Sequence, residues 1–255
     1  MSQATPAAAG GAPTVVLVHG AFADGSSWAG VIERLQAGGQ AVQAPANPLR
    51  SLSGDAAYIA SVANQIGGPV VLVGHSYGGA VIGNAAVHAA NVVGLVYVAA
   101  FAPDEGERLI EIENGSKDSV LNSALTQLRY PTGEGAETAV EFAINPQKFH
   151  DAFAADLPQE QTAVMAATQR PVAELAFSQP SGEPAWKKLP SWSVVATGDR
   201  AAGSDVVRSM AERAGAEITE VEGSHVIMMS QPQAVAEVIL TALAAAQKAE
   251  PQKSL

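Results

Sequence analysis

The sequence predicts an α/β fold built on a mostly parallel, doubly wound sheet of about six strands. Short apolar runs alternate along the chain with segments of helical spacing, which is the pattern of βα units around a buried sheet. One long segment interrupts this alternation and predicts an insertion. A chain of 255 residues is long enough to bury a large core in one compact unit.

The strands are predicted by short runs rich in β-branched residues. Four such runs, each flanked by Gly, Pro or Ser, are typical of strands buried on both faces: residues 14–18, 70–73, 94–100 and 192–197. Weaker runs at residues 41–44 and 217–221 complete the expected set of six.

The helices between these strands are predicted by apolar spacing. Trp28, Val31, Ile32 and Leu35 recur at i, i+3, i+4 and i+7, and Gly38-Gly39 follows as a stop. A second helix is expected over residues 52–66, and a last one opens with Ser230 and has Pro232 in its first turn. We expect these helices to pack on the sheet.

The domain organisation follows from these elements. Residues 14–102 and 191–246 form the predicted core, and residues 103–190, which lack a strong strand run, are predicted to be an inserted, mainly helical cap. Its apolar residues, among them Leu121, Leu125 and Leu128, would mostly hold the cap together. Residues 1–13 are expected to be a flexible lead-in, and residues 247–255 a flexible polar tail.

Composition excludes several classes of function. The formal charge of −11, from 14 basic and 25 acidic residues, would repel nucleic acids and anionic membranes, so neither is an expected partner. There is no cysteine, which removes disulfides, thiolate metal sites and cysteine nucleophiles. No apolar run reaches the length of a membrane span, and the first residues do not resemble a signal peptide, so we expect a cytoplasmic protein.

The strongest motif follows the run at residues 70–73. Gly74-His75-Ser76-Tyr77-Gly78 is a G-x-S-x-G sequence between a predicted strand and a predicted helix. This context is required because a sharp strand-to-helix turn lifts the serine hydroxyl clear of the sheet edge. We therefore expect Ser76 to be a nucleophile.

A serine hydroxyl needs a base, and the base needs a third group to orient it. Of the five histidines, His225 follows the last strand at the same sheet edge as Ser76, and is the expected base. Asp199, two residues beyond the fifth strand, is the expected acid; Asp104 remains the alternative. The chain order serine, acid, histidine is typical of this architecture.

An acyl-transfer site also needs backbone N–H donors for the developing oxyanion. One donor is expected from Tyr77, directly after the nucleophile. The other is expected from the loop after the first strand, where Ala21 is the preferred residue and Phe22 the alternative. His19, in the same loop, is expected to bind loop backbone.

The segments HGAFADGSSW, VLVGHSYGGAV, VATGDR and EGSHVIMMSQP resemble the α/β-hydrolase superfamily from about residue 14 to 245. Within it they are similar to the small esterases that include plant methyl esterases, hydroxynitrile lyases and pyrethroid-hydrolase-like bacterial proteins. The resemblance implies an α/β-hydrolase fold, with Ser76, Asp199 and His225 as the triad and Ala21 and Tyr77 as oxyanion donors.

The departures from the lyases are informative. Hydroxynitrile lyases of this branch have threonine, glutamate and lysine where this chain has Gly20, His75 and Val226, and Val226 offers no charge to a cyanide ion. The sequence therefore favours hydrolysis over cyanohydrin cleavage.

The expected function is that of a serine esterase, a carboxylic ester hydrolase that acts on a small ester through an acyl-enzyme on Ser76. It requires no cofactor and no metal. Phe22, His75 and Trp186 are expected to line the substrate pocket. Two alternatives stay open: a ligand-binding receptor or scaffold with little turnover, and a cofactor-free perhydrolase. Whether the chain forms a homo-oligomer is also open.

Overall fold

The computed structural model describes residues 12–133 and 135–249. A parallel sheet lies at its centre, with strands β1 Thr14–Val18, β2 Val42–Gln43, β3 Val70–His75, β4 Val92–Val98, β8 Ser191–Ala196 and β9 Glu217–Val221. Their spatial order is β2-β1-β3-β4-β8-β9, and each neighbouring pair runs parallel. The predicted six-stranded parallel sheet is confirmed.

Among the described residues, five longer helices and one short helix accompany the sheet. They are α1 Ala29–Ala37, α2 Leu52–Asn64, α3 Tyr77–Ala85, α9 Ser204–Arg213 and α11 Pro232–Ala249, with the short α10 Ile227–Ser230 before α11. The first helix ends where the two glycines predict, and Gly39 takes a positive φ of 77°. Residues 1–11 of the predicted lead-in lie outside the described residues.

The core is apolar on both faces of the sheet. Every residue of β3 and β8 is buried, as expected for parallel strands covered on both sides. The helices α1 and α11 pack against each other, as do α2 and α3, and both α3 and α11 contact β3 and β4. Within the part of the chain that the structure describes, none of the helices combines the length and hydrophobicity needed to cross a bilayer.

The insertion departs from the mainly helical cap predicted. It does contain helices, α4 Leu109–Asn114, α5 Leu121–Ala124, α6 Pro146–Phe153, α7 Gln159–Thr168 and α8 Glu174–Ser178. It also contains an antiparallel sheet of β5 Leu125–Pro131, β6 Thr138–Ile144 and β7 Val172–Ala173, which was not predicted.

The missed strands have an identifiable cause. Most of β5 is exposed and most of β6 only half-buried, so neither has the continuous apolar run that marks a buried strand. Val140, Phe142 and Ile144 do alternate with other residues in β6, and this period of two was the available signal. The end of the chain also differs, because α11 continues to Ala249, beyond residue 247 where a tail was predicted; residues 250–255 lie outside the described part.

The carboxyl ends of the parallel strands share one edge of the sheet. The strand order reverses between β1 and β3, and in open α/β sheets such a point is where ligands bind. The loops after β1, β3, β8 and β9 carry residues 19–22, Ser76, Asp199 and His225 to this edge.

Candidate active site

Ser76 occupies a strained turn between β3 and α3. Its φ of 54° and ψ of −125° lie in a region that non-glycine residues rarely adopt. The surrounding backbone holds it there, because its N–H donates to Val98 O at 3.3 Å and its carbonyl accepts from Gly79 N at 2.9 Å and Phe101 N at 3.2 Å. This is the geometry expected of a nucleophile elbow.

Gly20 allows the first-strand loop to approach this turn. A Cβ on residue 20 would lie 2.6 Å from the Cβ of Ser76 and 2.9 Å from the carbonyl oxygen of His75. Both separations are shorter than any normal contact, so only glycine fits. The loop after β1 therefore packs directly on the serine.

His225 and Asp199 form a buried pair. The imidazole Nδ1 lies 2.8 Å from Asp199 Oδ2, and each residue is 1% exposed. The other carboxylate oxygen, Oδ1, accepts from the N–H groups of Ala201 at 2.9 Å and Ala202 at 3.0 Å. With Nδ1–H donating to an ionised Asp199, Nε2 is left as the proton acceptor that a general base needs.

The alternative acid, Asp104, is engaged elsewhere. Its carboxylate forms an ion pair with Lys187 at 2.5 Å, and its side chain is 34% exposed. The hydrogen bond from Lys187 lowers the pKa of Asp104. Of the two candidates, Asp199 is the one that the structure brings to His225.

His75 contacts His225 through a hydrogen bond and through its ring. Its Nε2 lies 2.9 Å from the carbonyl oxygen of His225, to which it donates, and the two ring centroids are 4.6 Å apart. Burial and the neighbouring His225 hold the pKa of His75 well below its usual value, so the ring is neutral. His75 was predicted to line the substrate pocket. It is instead fully buried and lines neither of the cavities described near the site.

The loop after β1 leaves backbone N–H groups without a hydrogen-bond partner among the described residues, and that of Ala21 is one of them. His19 Nδ1 donates to Gly20 O at 2.9 Å and Nε2 accepts from Asn47 N at 2.9 Å, so this histidine binds backbone as expected. Phe22, with φ of 62°, donates its N–H to Arg170 O at 3.1 Å. Among the described residues the N–H of Ala21 makes no hydrogen bond, and neither does that of Tyr77. These two groups are the candidates for an oxyanion hole.

The side chain of Tyr77, the first residue of α3, is held by a hydrogen bond and a stacking contact. Its hydroxyl donates to Asp55 Oδ2 at 2.8 Å, and its ring stacks on Phe177 at a centroid distance of 5.6 Å. Burial raises the pKa of Asp55, an effect that the hydrogen bond from Tyr77 opposes. Nothing in the sequence pattern marked Asp55 or Phe177 as neighbours of the site, because both contacts join distant segments.

The insertion reaches the base loop through Asp156. Its carboxylate accepts from Ser224 N at 2.8 Å and from the Ser224 hydroxyl. Phe153, at the end of α6, packs on the His225 ring with centroids 5.1 Å apart and on Phe22 at 6.1 Å. The insertion thus contacts both the candidate base and the residue that precedes it. This role of Asp156 was not predicted, since only the folded insertion brings it near residue 224.

A cavity of about 290 Å³ is lined in part by neighbours of the two candidate oxyanion donors. Phe22 and Phe177 form part of its wall; the first follows Ala21 in the chain and the second stacks on Tyr77. The remaining wall comes from the insertion and is mostly aliphatic or aromatic, with three polar side chains: Glu113, Asn122 and Gln127.

Of the three residues predicted for the pocket, Phe22 alone lines this cavity. Trp186 does not line this cavity: its indole Nε1 donates to Pro103 O at 3.2 Å, and its ring lies beneath Lys187 and Arg213. Both cations lie within the range of a cation–π contact, 5.7 and 6.0 Å from the ring centroid.

Comparison with known proteins places this geometry among related folds. A model of the alpha/beta hydrolase family matches residues 15–238. The solved structure of polyneuridine aldehyde esterase is similar with a TM-score of 0.75 and 21% identity, covering 90% of this chain and 98% of that one. A pyrethroid hydrolase from Sphingobium faniae JZ-2 gives 0.73 and 23%, covering 91% and 98%.

A third similar structure is named a synthase, whereas the first two are named an esterase and a hydrolase. A mutant form of tomato methylketone synthase I matches with a TM-score of 0.75 and 20% identity, covering 92% of this chain and 99% of that one. No curated protein matches the chain in sequence. At 20–23% sequence identity these similarities establish the fold alone.

Proposed function

Because this chain belongs to the alpha/beta hydrolase family, we propose that it is a serine esterase that cleaves a small carboxylic ester through an acyl-enzyme on Ser76. The observation that carries this proposal is the buried pair of His225 and Asp199, 2.8 Å apart, at the sheet edge where Ser76 occupies its strained turn.

In the proposed mechanism Ser76 Oγ attacks the ester carbonyl while Nε2 of His225 takes its proton. Asp199 holds the imidazole in the required tautomer and stabilises its positive charge. The N–H groups of Ala21 and Tyr77 donate to the tetrahedral oxyanion. His225 then protonates the leaving alcohol, and a water activated by the same base hydrolyses the acyl-enzyme.

Two further observations favour ester hydrolysis. Val226, beside the candidate base, is fully buried and apolar, so that position holds no cation for a cyanide leaving group. Two of the similar structures are described as an esterase and a pyrethroid hydrolase, although a methylketone synthase shares the fold. The fold therefore admits other reactions, and the serine itself has to be tested.

The test is hydrolysis of activated aryl esters together with fluorophosphonate labelling. Ser76→Ala should lower kcat by at least about 10³-fold, since loss of a nucleophile removes the covalent route. It should also abolish labelling. Ser61→Ala, which alters an exposed serine of α2, is the matched control and should keep both.

Equal hydrolysis by Ser76→Ala and the native protein would contradict the proposal. Tight ligand binding with negligible turnover across esters of varied acyl and alcohol size would instead favour a receptor on the same fold. Faster acyl transfer to hydrogen peroxide than to water would favour a perhydrolase.

A further inference from the structure

The cavity that Phe22 and Phe177 partly line contains a buried carboxyl group. Glu113, in α4, is 4% exposed and lines the cavity together with the rings of Phe22, Phe142 and Phe177. Most other lining residues are aliphatic, and no lysine, arginine or histidine is among them. An acidic side chain in an apolar, aromatic cavity needs a compensating partner.

The protein supplies little compensation for this carboxyl group. None of the ion pairs among the described residues includes Glu113. The hydroxyl of Ser119 lies 3.0 Å from Oε1 of Glu113, but it lies closer to Ala201 O, at 2.7 Å. A hydroxyl has one proton to donate, so the two acceptors compete for it.

The protonation behaviour of Glu113 agrees with this geometry. Burial raises its pKa, and hydrogen bonding to Ser119 and Asn122 opposes the effect only in part. A cation placed in the cavity would restore the ionised form, because an opposite charge at close range favours the carboxylate.

Two residues of the cavity wall are neighbours of the candidate oxyanion donors: Phe22 follows Ala21, and Phe177 stacks on Tyr77. A second series of contacts starts at Glu113. Its partner Ser119 donates to Ala201 O, and Ala201 N donates to Asp199 Oδ1 at 2.9 Å. A group bound beside Glu113 therefore lies within the same assembly of loops that carries the proposed triad.

We propose that this cavity binds an ammonium group carried by the ester substrate, with Glu113 as the counter-ion and the surrounding phenyl rings as cation–π partners. The assignment of the ammonium group to a substrate rests on the ester hydrolysis proposed above. A carboxylate in a cavity partly lined by phenyl rings, with no lysine, arginine or histidine in the lining, is suited to a protonated amine. An anionic substrate group would be repelled by Glu113 and would find no cation in the cavity wall.

The first experiment measures binding alone, so that it does not depend on turnover. Cyclohexylmethylammonium and cyclohexylmethanol have nearly the same shape and differ in charge, and neither is an ester. By titration calorimetry at pH 8, the native protein should bind the ammonium at least about tenfold more tightly than the alcohol, as expected for a charge-assisted hydrogen bond in a buried site. Glu113→Gln should bring the two Kd values within about twofold of each other.

Two further variants complete the binding experiment. Glu111→Gln removes the same charge from an exposed position of α4 and should keep the preference, which controls for general attraction by an acidic protein. Phe142→Leu should weaken ammonium binding more than alcohol binding, and it provides an independent test if Glu113→Gln does not fold. Equal Kd values in the native protein, tighter binding of the alcohol, or an unchanged preference in Glu113→Gln would overturn the proposal.

The second experiment connects the cavity with catalysis. Cyclohexylmethylammonium should inhibit aryl-ester hydrolysis competitively, with an inhibition constant at least about tenfold higher in Glu113→Gln. If the protein hydrolyses esters but the ammonium does not compete, the cavity is not the substrate pocket, and this inference fails while the esterase proposal stands. If no ester is hydrolysed, the esterase proposal fails, and calorimetry alone decides whether Glu113 binds ammonium.

Discussion

Tyr77→Phe isolates the buried hydrogen bond beneath a candidate oxyanion donor. The change removes the hydroxyl that donates to Asp55 Oδ2 at 2.8 Å, while the ring can keep its stacking on Phe177. Tyr77 is fully buried and Asp55 is 1% exposed, so water cannot easily replace the lost donor. A hydrogen bond to a charged group contributes about 1.5–3 kcal/mol, and we expect the free energy of unfolding to fall by that amount.

The effect should depend on pH with a definite sign. Burial already raises the pKa of Asp55, and loss of the tyrosine donor should raise it further. A carboxyl group whose pKa is higher in the folded state stabilises that state below its unfolded pKa, and the contribution is lost as the pH rises through the folded pKa. The deficit caused by Tyr77→Phe should therefore be larger at pH 8 than at pH 4.

The assay is urea unfolding followed by circular dichroism at both pH values. Tyr58→Phe is the matched control because Tyr58 lies on α2 and is 45% exposed. In an Asp55→Asn background, Tyr77→Phe should cost only about 1 kcal/mol, since the bond then joins two neutral groups. If Tyr77→Phe and Tyr58→Phe unfold with the same free energy at pH 8, the buried bond contributes nothing and the reasoning is refuted.

Two further predictions concern the active-site loops. Asp199→Asn should reduce kcat for aryl esters by about 10³–10⁴-fold because the amide no longer holds the required tautomer of His225, whereas Asp104→Asn should leave kcat within about twofold. Gly20→Ala places a Cβ 2.6 Å from the Cβ of Ser76 and should abolish fluorophosphonate labelling. The control is Gly68→Ala, whose added Cβ has no atom within 4 Å and which should label at the native rate. Equal labelling of the two variants would contradict the close approach of the loop to Ser76.

The sequence was sufficient to predict the core and the positions of the candidate catalytic residues on it. The run at residues 70–73 is short, β-branched and bounded by turn residues, so its local composition decides its structure. The glycines around Ser76 mark the turn because only small residues allow strand and helix to approach so closely. Chain order then assigned residues 199 and 225 to the same sheet edge, since parallel strands end there together.

The insertion was less predictable because long-range contacts decide its structure. Leu125 and Leu128 belong to β5, whose pairing with β6 no local property of either residue specifies. The cavity combines residues from the loop after β1, from α4 and from three strands of the insertion, so its shape exists only after folding. The aromatic character of Trp186 predicted a pocket residue, but the nearby cations hold its indole elsewhere.

The contacts between the insertion and the two loops of the candidate active site constrain how specificity can change. Arg170 binds the N–H of Phe22 through its backbone carbonyl, a contact that survives almost any substitution at that position. Asp156 binds Ser224 through its side chain, so this contact depends on the residue itself. We therefore expect that replacing the exposed strand β5 by the corresponding segments of related proteins can alter the choice of substrate, provided that an acidic residue remains at position 156.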